Sequence, residues 1–561
     1  MINTALLYAM GVQGMYIEFR GGLCLFLAFQ MAYTGKLSRR CPVKTRGEWI
    51  KFRFGDRKEA VLLRTTIAIT SMTSGVLAVT YFAVGGGKFF TEFVQLPAWW
   101  GLPGEFWAAL VLMLVALLYT VASGYTTVVY TDVYQSFFIF ASFIIVAIMG
   151  FGYHLPESFS VFVPLKQTDL HGDRAMIQVN TTRSAWLSAI PSSNLHLPEE
   201  STYSMYNNFD VVIGTYLLLQ IMRSASGPGG SGLQTVLATK SEREVRSQTF
   251  LAMVLLGLRW AFSGGVAVMA IHYSTQHVGE AIDPERVVPL VIHKMLPTGV
   301  KGFVLASLLA AALTTFDTTI NSASSYWAVD IYQALLNPGA SERQLLWHAR
   351  VSTVFVMLAG LLLSLYVTTI NRIWGFMTIA LAGGLMWPFF LSWYWARFNA
   401  VSCLAGVFSG FTAAFVIFIF SPLLEELSAF LITSSVSMVV CLGVCCFTRP
   451  PSTQILRRFY RFARPPGLWH AIKHVCFSDD AIRDIDAENY ADLYCTGLIV
   501  AAQLALYLLA VSAVARAWTQ SLVLLAVLLV SGPIIYFKWY LKLQDRPVGL
   551  RKDAAAELLA A

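Results

Sequence analysis

Residues 301–332 read KGFVLASLLAAALTTFDTTINSASSYWAVDIY, an apolar segment of membrane length with an unusual number of hydroxyl side chains. Small and hydroxyl residues also allow membrane helices to pack closely, so packing is one interpretation of this composition. The spacing of Ala311, Thr314 and Thr315 favours another, because residues three and four apart share one helix face. Each hydroxyl can donate to a carbonyl one turn earlier and keep a lone pair facing outward. We therefore predict that oxygens of these three residues face a small hard cation.

Stretches of about 20 apolar residues, enough for a helix to cross a bilayer, recur along the chain. The 561 residues are 56% apolar and only 13% charged, whereas soluble proteins are about 25% charged. This composition excludes a water-soluble enzyme and a disordered chain. We predict an all-α polytopic membrane protein in contact with the lipid bilayer. Its thirteen spans, after an incomplete one at 1–19, lie near 20–37, 60–86, 105–123, 131–152, 211–226, 249–272, 301–333, 350–371, 373–397, 401–421, 427–447, 495–515 and 519–537.

Lysine and arginine cluster in short segments between the spans, at 36–58, 240–246, 449–464 and 538–552. Alternating the spans places every cluster on one side of the membrane, which the positive-inside rule identifies as the cytoplasm. The C-terminus is then predicted to be cytoplasmic, and the long loop 153–210 external. The net charge of +8 lies in these loops and forms no continuous basic face, so we expect no nucleic-acid partner.

Four further motifs follow one another along the chain. They are Gly124-Tyr125-Thr126-Thr127 with Tyr130-Thr131-Asp132 and Gln135, the segment 234–241 (QTVLATKS) with Glu242-Arg243-Glu244, the segment 393–400 (WYWARFNA), and Phe459-Tyr460-Arg461 with Arg464-Pro465. Together with 301–332 they resemble the sodium/solute symporter family, whose bacterial members the last two motifs resemble. Thr235 stands where the family's cytoplasmic motif usually has Arg. The resemblance covers nearly the whole chain.

The resemblance implies a leucine-transporter-like fold with two inverted five-helix repeats and about four additional C-terminal helices. In such folds broken helices expose carbonyls near the midplane, where ion and solute bind. The chain starts almost at the break of the family's first core helix, so we expect this helix to be incomplete through a mis-assigned start codon or a truncated gene. The predicted organisation is a truncated first repeat at 1–152, an external loop at 153–210, a second repeat at 211–400, additional helices at 401–448, a cytoplasmic or interfacial connector at 449–494, and C-terminal helices with a tail at 495–561.

Two polar features are interpreted as interfacial. The connector begins with an arginine-rich segment that is typical of a helix lying on anionic headgroups. Its acidic second half, 479–492, is predicted to be a solvated segment. Lys88 is expected to join nearby tryptophans in a belt at the outer membrane interface.

The resemblance places the family's conserved sodium site on Ala311, Thr314 and Thr315. Thr4 lies just after the ion-binding carbonyls of the first helix and is predicted to contribute to the same site. The implied coupling ion is therefore Na⁺.

Two carboxylates lie inside predicted spans. Inserting an ionisable group at the bilayer centre costs about 2.5–3.5 kcal/mol of free energy, so a functional or structural role is expected for each. Asp132 corresponds to an Asp that lines the family's cytoplasmic sodium exit, or it is an interfacial carboxylate solvated by water. Asp317 lies one turn beyond Thr314. It is a second cation ligand or a proton acceptor, or it accepts hydrogen bonds from nearby threonines.

The candidate solute-binding residues comprise two arginines and several neutral groups. Arg259 lies near the middle of a span, within about a turn of a Lys in sugar-transporting relatives, and Arg223 lies near the inner end of another. Either can hold a substrate carboxylate in a fork, although Arg223 can instead reach the inner interface. Neutral hydrogen bonds are expected from Asn3, Tyr8, Tyr216 and Gln220. The solute is predicted to be a sugar, an amino acid or a carboxylate.

The predicted function is sodium-coupled import of a small organic solute by alternating access, in the bacterial inner membrane. Proton coupling through Asp317 or Asp132 is one alternative. A transport-inactive sensor or scaffold is another, favoured by the incomplete first helix. We do not expect an enzyme, because no nucleophile–base pair or metal cluster occurs among the spans.

Overall fold

A computed structural model describes residues 1–43, 45–94, 96–122, 125–168, 174–227, 230–367, 369–421 and 424–542. Helices dominate these residues, and one two-stranded antiparallel sheet interrupts them. The predicted all-α polytopic class is therefore confirmed. The motif residue Gly124 and the predicted tail 543–561 lie outside the described residues. The division into inverted repeats stays a prediction.

Eight helices precede the sheet: α1 (Ile2–Met10), α2 (Gly14–Ile17), α3 (Phe26–Phe29), α4 (Gly35–Arg40), α5 (Arg46–Phe54), α6 (Lys58–Thr91), α7 (Gly104–Ala122) and α8 (Tyr125–Phe151). The sheet consists of β1 (Ser158–Thr168) and β2 (Arg174–Thr182). Nine helices follow it: α9 (Arg183–Leu187), α10 (Phe209–Ala225), α11 (Gly230–Leu237), α12 (Glu242–Gln276), α13 (Val287–Met295), α14 (Thr298–Ser325), α15 (Glu342–Leu363), α16 (Ile370–Gly375) and α17 (Ala382–Tyr394). The last six are α18 (Ala400–Phe420), α19 (Glu426–Phe447), α20 (Thr453–Ala463), α21 (His470–Cys476), α22 (Asp479–Val514) and α23 (Trp518–Lys538).

Three π-helical turns make some of these helices continuous. Gln30–Thr34 joins α3 to α4, Phe376–Leu381 joins α16 to α17, and Tyr326–Leu336 extends α14. Such turns insert a residue into the helical repeat and are frequent at functional sites. Short 3₁₀ turns occupy Gly11–Gln13, Glu18–Arg20, Thr202–Tyr206, Pro284–Arg286 and Tyr540–Lys542.

Ten helices among the described residues are long and apolar enough to cross a membrane, and they coincide with ten of the predicted spans. The three remaining predictions correspond to the α3–α4 segment, α7 and α10. The helix predicted at 350–371 lies earlier, at α15, because a capping box between Ser341 and Gln344 fixes its start. The most buried of the ten is α12, and α23 is the least buried.

The predicted loop 153–210 contains the sheet, which was not predicted from the sequence. Ser158 pairs with Thr182 and Val161 with Val179, in antiparallel register. Phe159, Val161 and Val163 are buried, as expected when alternate residues of a strand share one face. We call the side of the helix bundle that carries this sheet the hairpin side. The opposite side, which carries the basic clusters 36–58 and 240–246, is called the basic side.

The acidic segment 479–492 is the first part of α22. Asp479, Asp480 and Asp484 are exposed, as predicted for a solvated segment, whereas for Asp492 that prediction is wrong. Asp492 is buried and forms an ion pair with Lys36 of α4. Its second oxygen accepts a hydrogen bond of 2.8 Å from the indole of Trp539. Carboxylates predicted to face water therefore hold α22 against the basic end of α4.

Glycines bring two helix pairs into backbone contact. A Cβ atom built on Gly410 of α18 would lie 2.0 Å from the carbonyl oxygen of Gly384 on α17. A Cβ atom on Gly150 of α8 would lie 2.3 Å from the Cα atom of Gly265 on α12. Small residues at such crossings allow membrane helices to approach closely.

We expect Gly410→Ala to destabilise the protein by about 1–3 kcal/mol, because the added methyl group forces α17 and α18 apart. Gly443→Ala on the neighbouring α19 is the matched control, since a Cβ atom there meets nothing within 4 Å. Thermal unfolding in detergent measures both. Equal midpoints for the two variants would contradict the close crossing.

Candidate functional site

The three residues of the predicted ion site lie together on α14. The hydroxyls of Thr314 and Thr315 both donate to the carbonyl oxygen of Ala311, at 3.1 and 2.8 Å. Both hydroxyl oxygens therefore keep lone pairs that can act as ligands. The side chain of Thr315 is exposed and that of Thr314 is half-buried.

The predicted contribution from α1 lies apart from these hydroxyls. Thr4 is buried, and its hydroxyl contacts Ser263 of α12 at 3.3 Å. Met1, which precedes α1, and Ala311 of α14 both line an apolar cavity of about 270 Å³. The structure thus brings the start of α1 and the carbonyl-bearing residue of α14 to one cavity, while Thr4 faces α12.

A larger and more polar cavity, of about 540 Å³, lies in the basic half of the molecule. We call it the polar cavity. Its walls come from α3, α5, α6, α10, α14 and the α16–α17 segment. Two predicted solute-binding residues line it, Gln220 and Arg223, and so does Thr319, one turn beyond Thr315. Arg46 of α5 also lines it, although the sequence pattern places Arg46 in a cytoplasmic loop. A volume of this size is in the usual range for small-molecule sites.

Asp132 and Asp317 are near enough for their charges to interact. Asp317 is fully buried, and the Asn321 side chain donates to its Oδ1 at 2.7 Å. Oδ1 of Asp132 is buried and has no hydrogen-bond partner among the described residues. Two neighbouring carboxylates repel each other when both are charged. A proton or a cation bound between them would reduce that repulsion.

A buried ionic network lies on the hairpin side of the polar cavity. At its centre is Arg20, which is fully buried and bonds to Glu18 at 3.1 Å and to Glu426 at 2.9 Å. The guanidinium also donates to the Tyr206 hydroxyl at 3.0 Å and to Asn371 Oδ1 at 2.6 Å. These partners come from segments far apart in sequence, so Arg20 ties the hairpin ends of several helices together.

A second ion pair extends this network. Lys88 of α6 pairs with Glu285, whose other oxygen accepts the backbone N–H of Asn371 at 3.0 Å. Lys88 and Glu285 are both buried. The interpretation of Lys88 as part of an interfacial belt is therefore wrong, because a partner distant in sequence stabilises its charge inside the protein.

The helix α10 connects the network to the polar cavity. The Tyr216 hydroxyl donates to Glu426 Oε2 at 2.7 Å, so this predicted solute-binding residue belongs to the network. One turn further, Gln220 lines the polar cavity. Its Nε2 donates to Ser224 at 3.2 Å, and its buried Oε1 has no partner in the described part of the chain.

The other predicted solute-binding residues line neither cavity. Tyr8 is fully buried, and its hydroxyl has no hydrogen-bond partner among the residues that the structure describes. The amide of Asn3 lies beside Gly22, and a Cβ atom there would be 2.9 Å from Asn3 Oδ1. Arg259 donates to the carbonyl oxygen of Gly22 at 2.5 Å. The solute-binding roles of these three residues stay predictions. The bond to Gly22 gives Arg259 a structural role as well.

The family model described as Sodium:solute symporter family matches residues 3–410. The chain belongs to this family. The resemblance inferred from α14 and the four motifs is therefore confirmed. Members of the symporter family are transporters, and the ten candidate spans identify this member as a multi-pass membrane protein.

The names of curated relatives of this symporter-family chain refer to different solutes. It is 25% identical over 393 residues to the sodium/mannose cotransporter SLC5A10 of Bos taurus, covering 66% of this chain and 61% of that protein. It is 23% identical over 470 residues to the high-affinity proline transporter PutP of Bacillus subtilis, covering 81% and 88%. The chain spans only about three fifths of the length of the first curated relatives it matches.

A solved structure shows the same fold as this symporter-family chain. It is a substrate-bound, outward-open state of a Na⁺-coupled sialic acid symporter, with a TM-score of 0.53 and 15% identity. The match covers 80% of this chain and 90% of the other.

Several charged residues that position this site in the symporter-family chain were not predicted from the sequence: Glu18, Arg20, Arg46, Glu285 and Glu426. A signal existed for two of them. Glu18 and Arg20 stand two residues apart between apolar stretches, where a charge without a partner is costly. The identity of their distant partners could not be read from spacing.

Proposed function

We propose that this chain is a sodium-coupled symporter that imports a small organic solute by alternating access. The observation that supports it is that the family match, residues 3–410, includes every residue that lines the polar cavity. In this proposal Na⁺ binds at the oxygens of Ala311, Thr314 and Thr315, and the hydroxyl of Thr4, which contacts Ser263 in this structure, joins them when α1 moves towards α14. The solute binds in the polar cavity one turn beyond.

The arrangement of the two sides supports alternating access. The polar cavity reaches the exposed side chain of Arg223 on the basic side, whereas the buried network around Arg20 closes the hairpin side. Sodium binding from the hairpin side would draw the start of α1 towards α14, around the apolar cavity that Met1 and Ala311 line. Moving one charge through 100 mV supplies about 2.3 kcal/mol. A tenfold sodium gradient adds about 1.4 kcal/mol, so one ion supports accumulation of a few hundredfold.

We propose that the basic side faces the cytoplasm of a bacterial cell. The basic clusters 36–58 and 240–246 support this orientation, because positive loops remain on the cytoplasmic side. The long match to the Bacillus subtilis relative supports a place in a bacterial plasma membrane.

Sodium-dependent thermal stabilisation of the purified chain tests the proposal. We expect at least one sugar, amino acid or carboxylate to raise the unfolding midpoint in NaCl and not in an equal concentration of KCl. Ligands that bind only the folded state stabilise it by mass action. A midpoint that responds to neither Na⁺ nor any solute would instead favour a transport-inactive sensor or scaffold.

Proton coupling is a second candidate, and the neighbouring carboxylates of Asp132 and Asp317 favour it. Under sodium coupling, we expect uptake into vesicles with a clamped membrane potential to require a Na⁺ gradient and to be unaffected by a protonophore. Uptake that persists without Na⁺, collapses with the protonophore and is lost in Asp317→Asn would select proton coupling. Asp210→Asn is the matched control, since this exposed carboxylate lies on the first turn of α10.

A further inference from the structure

The polar cavity carries positive charge. Two arginines, Arg46 and Arg223, line it, and no aspartate or glutamate appears among the described residues of its wall. The charge comes from two distant helices, α5 and α10, which the fold brings to one space. A cavity of this kind attracts anions and disfavours cations, and low-dielectric walls strengthen both effects.

Arg46 is held at the cavity wall by an aromatic ring. Its guanidinium carbon lies 4.5 Å from the centre of the Phe389 ring, which stacks it in a fixed orientation. Burial lowers the pKa of Arg46, while the phenol of Tyr326 and the thiol of Cys403 favour its charged form. A carboxylate arriving in the cavity would favour the charged form of the guanidinium, because a nearby opposite charge offsets the cost of burial.

Gln220 favours a solute that also donates a hydrogen bond. Its Nε2 is used by Ser224, and its buried Oε1 is an acceptor without a partner among the described residues. A buried acceptor left unsatisfied costs free energy, so a ligand that donates a hydrogen bond here gains affinity. Hydroxyl groups and protonated amines are such donors.

Hydroxyls on α6 and α14 complete the wall. Those of Ser74 and Thr319 donate within their own helices, at 2.9 and 2.7 Å, so their outward lone pairs can also accept from a solute. The wall therefore offers hydrogen-bond acceptors that suit donor groups of a solute. It also offers guanidinium groups that suit a carboxylate.

From this arrangement we infer that the transported solute is a small organic acid with a hydroxyl or amino group, whose carboxylate binds Arg223 and Arg46 and whose donor reaches Gln220. The inference rests on the proposed symport and assigns its solute class. Arginine suits this role because its planar fork matches both oxygens of a carboxylate. Neutral sugars lack the anionic group, and quaternary ammonium ions carry the wrong charge.

Matched pairs of acid and neutral compound test the inference. The pairs are D-mannonate with D-mannose and, for a smaller acid, L-lactate with L-lactamide. Thermal unfolding of the full chain in detergent is followed with each compound, in NaCl and in KCl. We expect at least one acid to stabilise the protein in NaCl with an apparent affinity at least tenfold higher than that of its neutral partner.

Variants of Arg46 and Arg223 test whether these two side chains cause the preference for the acid. Arg223→Gln and Arg46→Gln are each expected to weaken the apparent affinity for that acid at least tenfold, and Arg223→Lys by less. Arg223 is exposed, so its replacement leaves the core intact and keeps the test independent of folding. Arg57→Gln is the matched control: Arg57 is exposed at the start of α6 and outside the cavity, and its loss should change nothing.

The outcomes separate this inference from the proposed function. Sodium-dependent stabilisation by the neutral partners alone, or by no acid at all, would overturn the acid assignment, and in the first case symport would stand. Stabilisation by an acid to the same extent in KCl would support the anion-binding cavity and contradict sodium coupling. Equal effects of Arg223→Gln and Arg57→Gln would also overturn the assignment.

Discussion

Replacement of Arg20 by Met is expected to destabilise the protein by about 3–5 kcal/mol, because it leaves the carboxylates of Glu18 and Glu426 without their counter-charge. Glu18 is buried almost completely, so water cannot replace the lost partner. Thermal unfolding in detergent measures the loss. The double variant Glu18→Gln/Arg20→Met should recover part of it, since one of the two stranded charges is then removed.

Arg372→Met is the control for Arg20→Met. Arg372 is an exposed arginine on the same side of the molecule and stacks on Phe418 at 5.6 Å. Its removal costs the same formal charge at an exposed position, so we expect a shift of less than about 1 kcal/mol. Similar shifts for both arginines would mean that the network does not hold the hairpin side together.

Replacement of Thr314 and Thr315 by Ala together is expected to raise the Na⁺ concentration for half-maximal stabilisation at least tenfold. Both hydroxyls that surround the Ala311 carbonyl are then lost, while alanine preserves the helix. The measurement is the unfolding midpoint over a series of NaCl concentrations at constant ionic strength.

Thr66→Ala with Thr73→Ala is the control for that pair. These threonines of α6 make the same kind of bond, to carbonyls four residues earlier at 3.0 and 2.9 Å. Neither lines a cavity described above. Their loss should leave the Na⁺ dependence unchanged, and an equal shift in both double variants would reject the assigned ion site.

The parts of the fold that depend on local pattern could be predicted from the sequence. Apolar length locates the ten spans, and the spacing of Ala311, Thr314 and Thr315 is enough to place their oxygens on one face of α14. In the segment 479–492, however, an acidic composition conceals a helix whose Asp492 pairs with a distant lysine.

The missed parts of the site depend on contacts between distant segments. Arg46 has the sequence context of an ordinary basic loop, and only the packing of α5 against α17 brings it over Phe389. Lys88 resembles an interfacial residue until Glu285 is found beside it. Long-range pairing decides whether a charge faces water, a partner or a solute, and one sequence contains no direct signal of that pairing.

Equilibrium binding of ²²Na⁺ to the purified chain tests the central claim, that oxygens of α14 bind sodium, and it requires no knowledge of the solute. We predict saturable binding that excess NaCl displaces and KCl does not, and that is lost when Thr314 and Thr315 are both replaced by Ala. Absence of saturable binding in the wild-type chain, or undiminished binding in the double variant, would contradict the account.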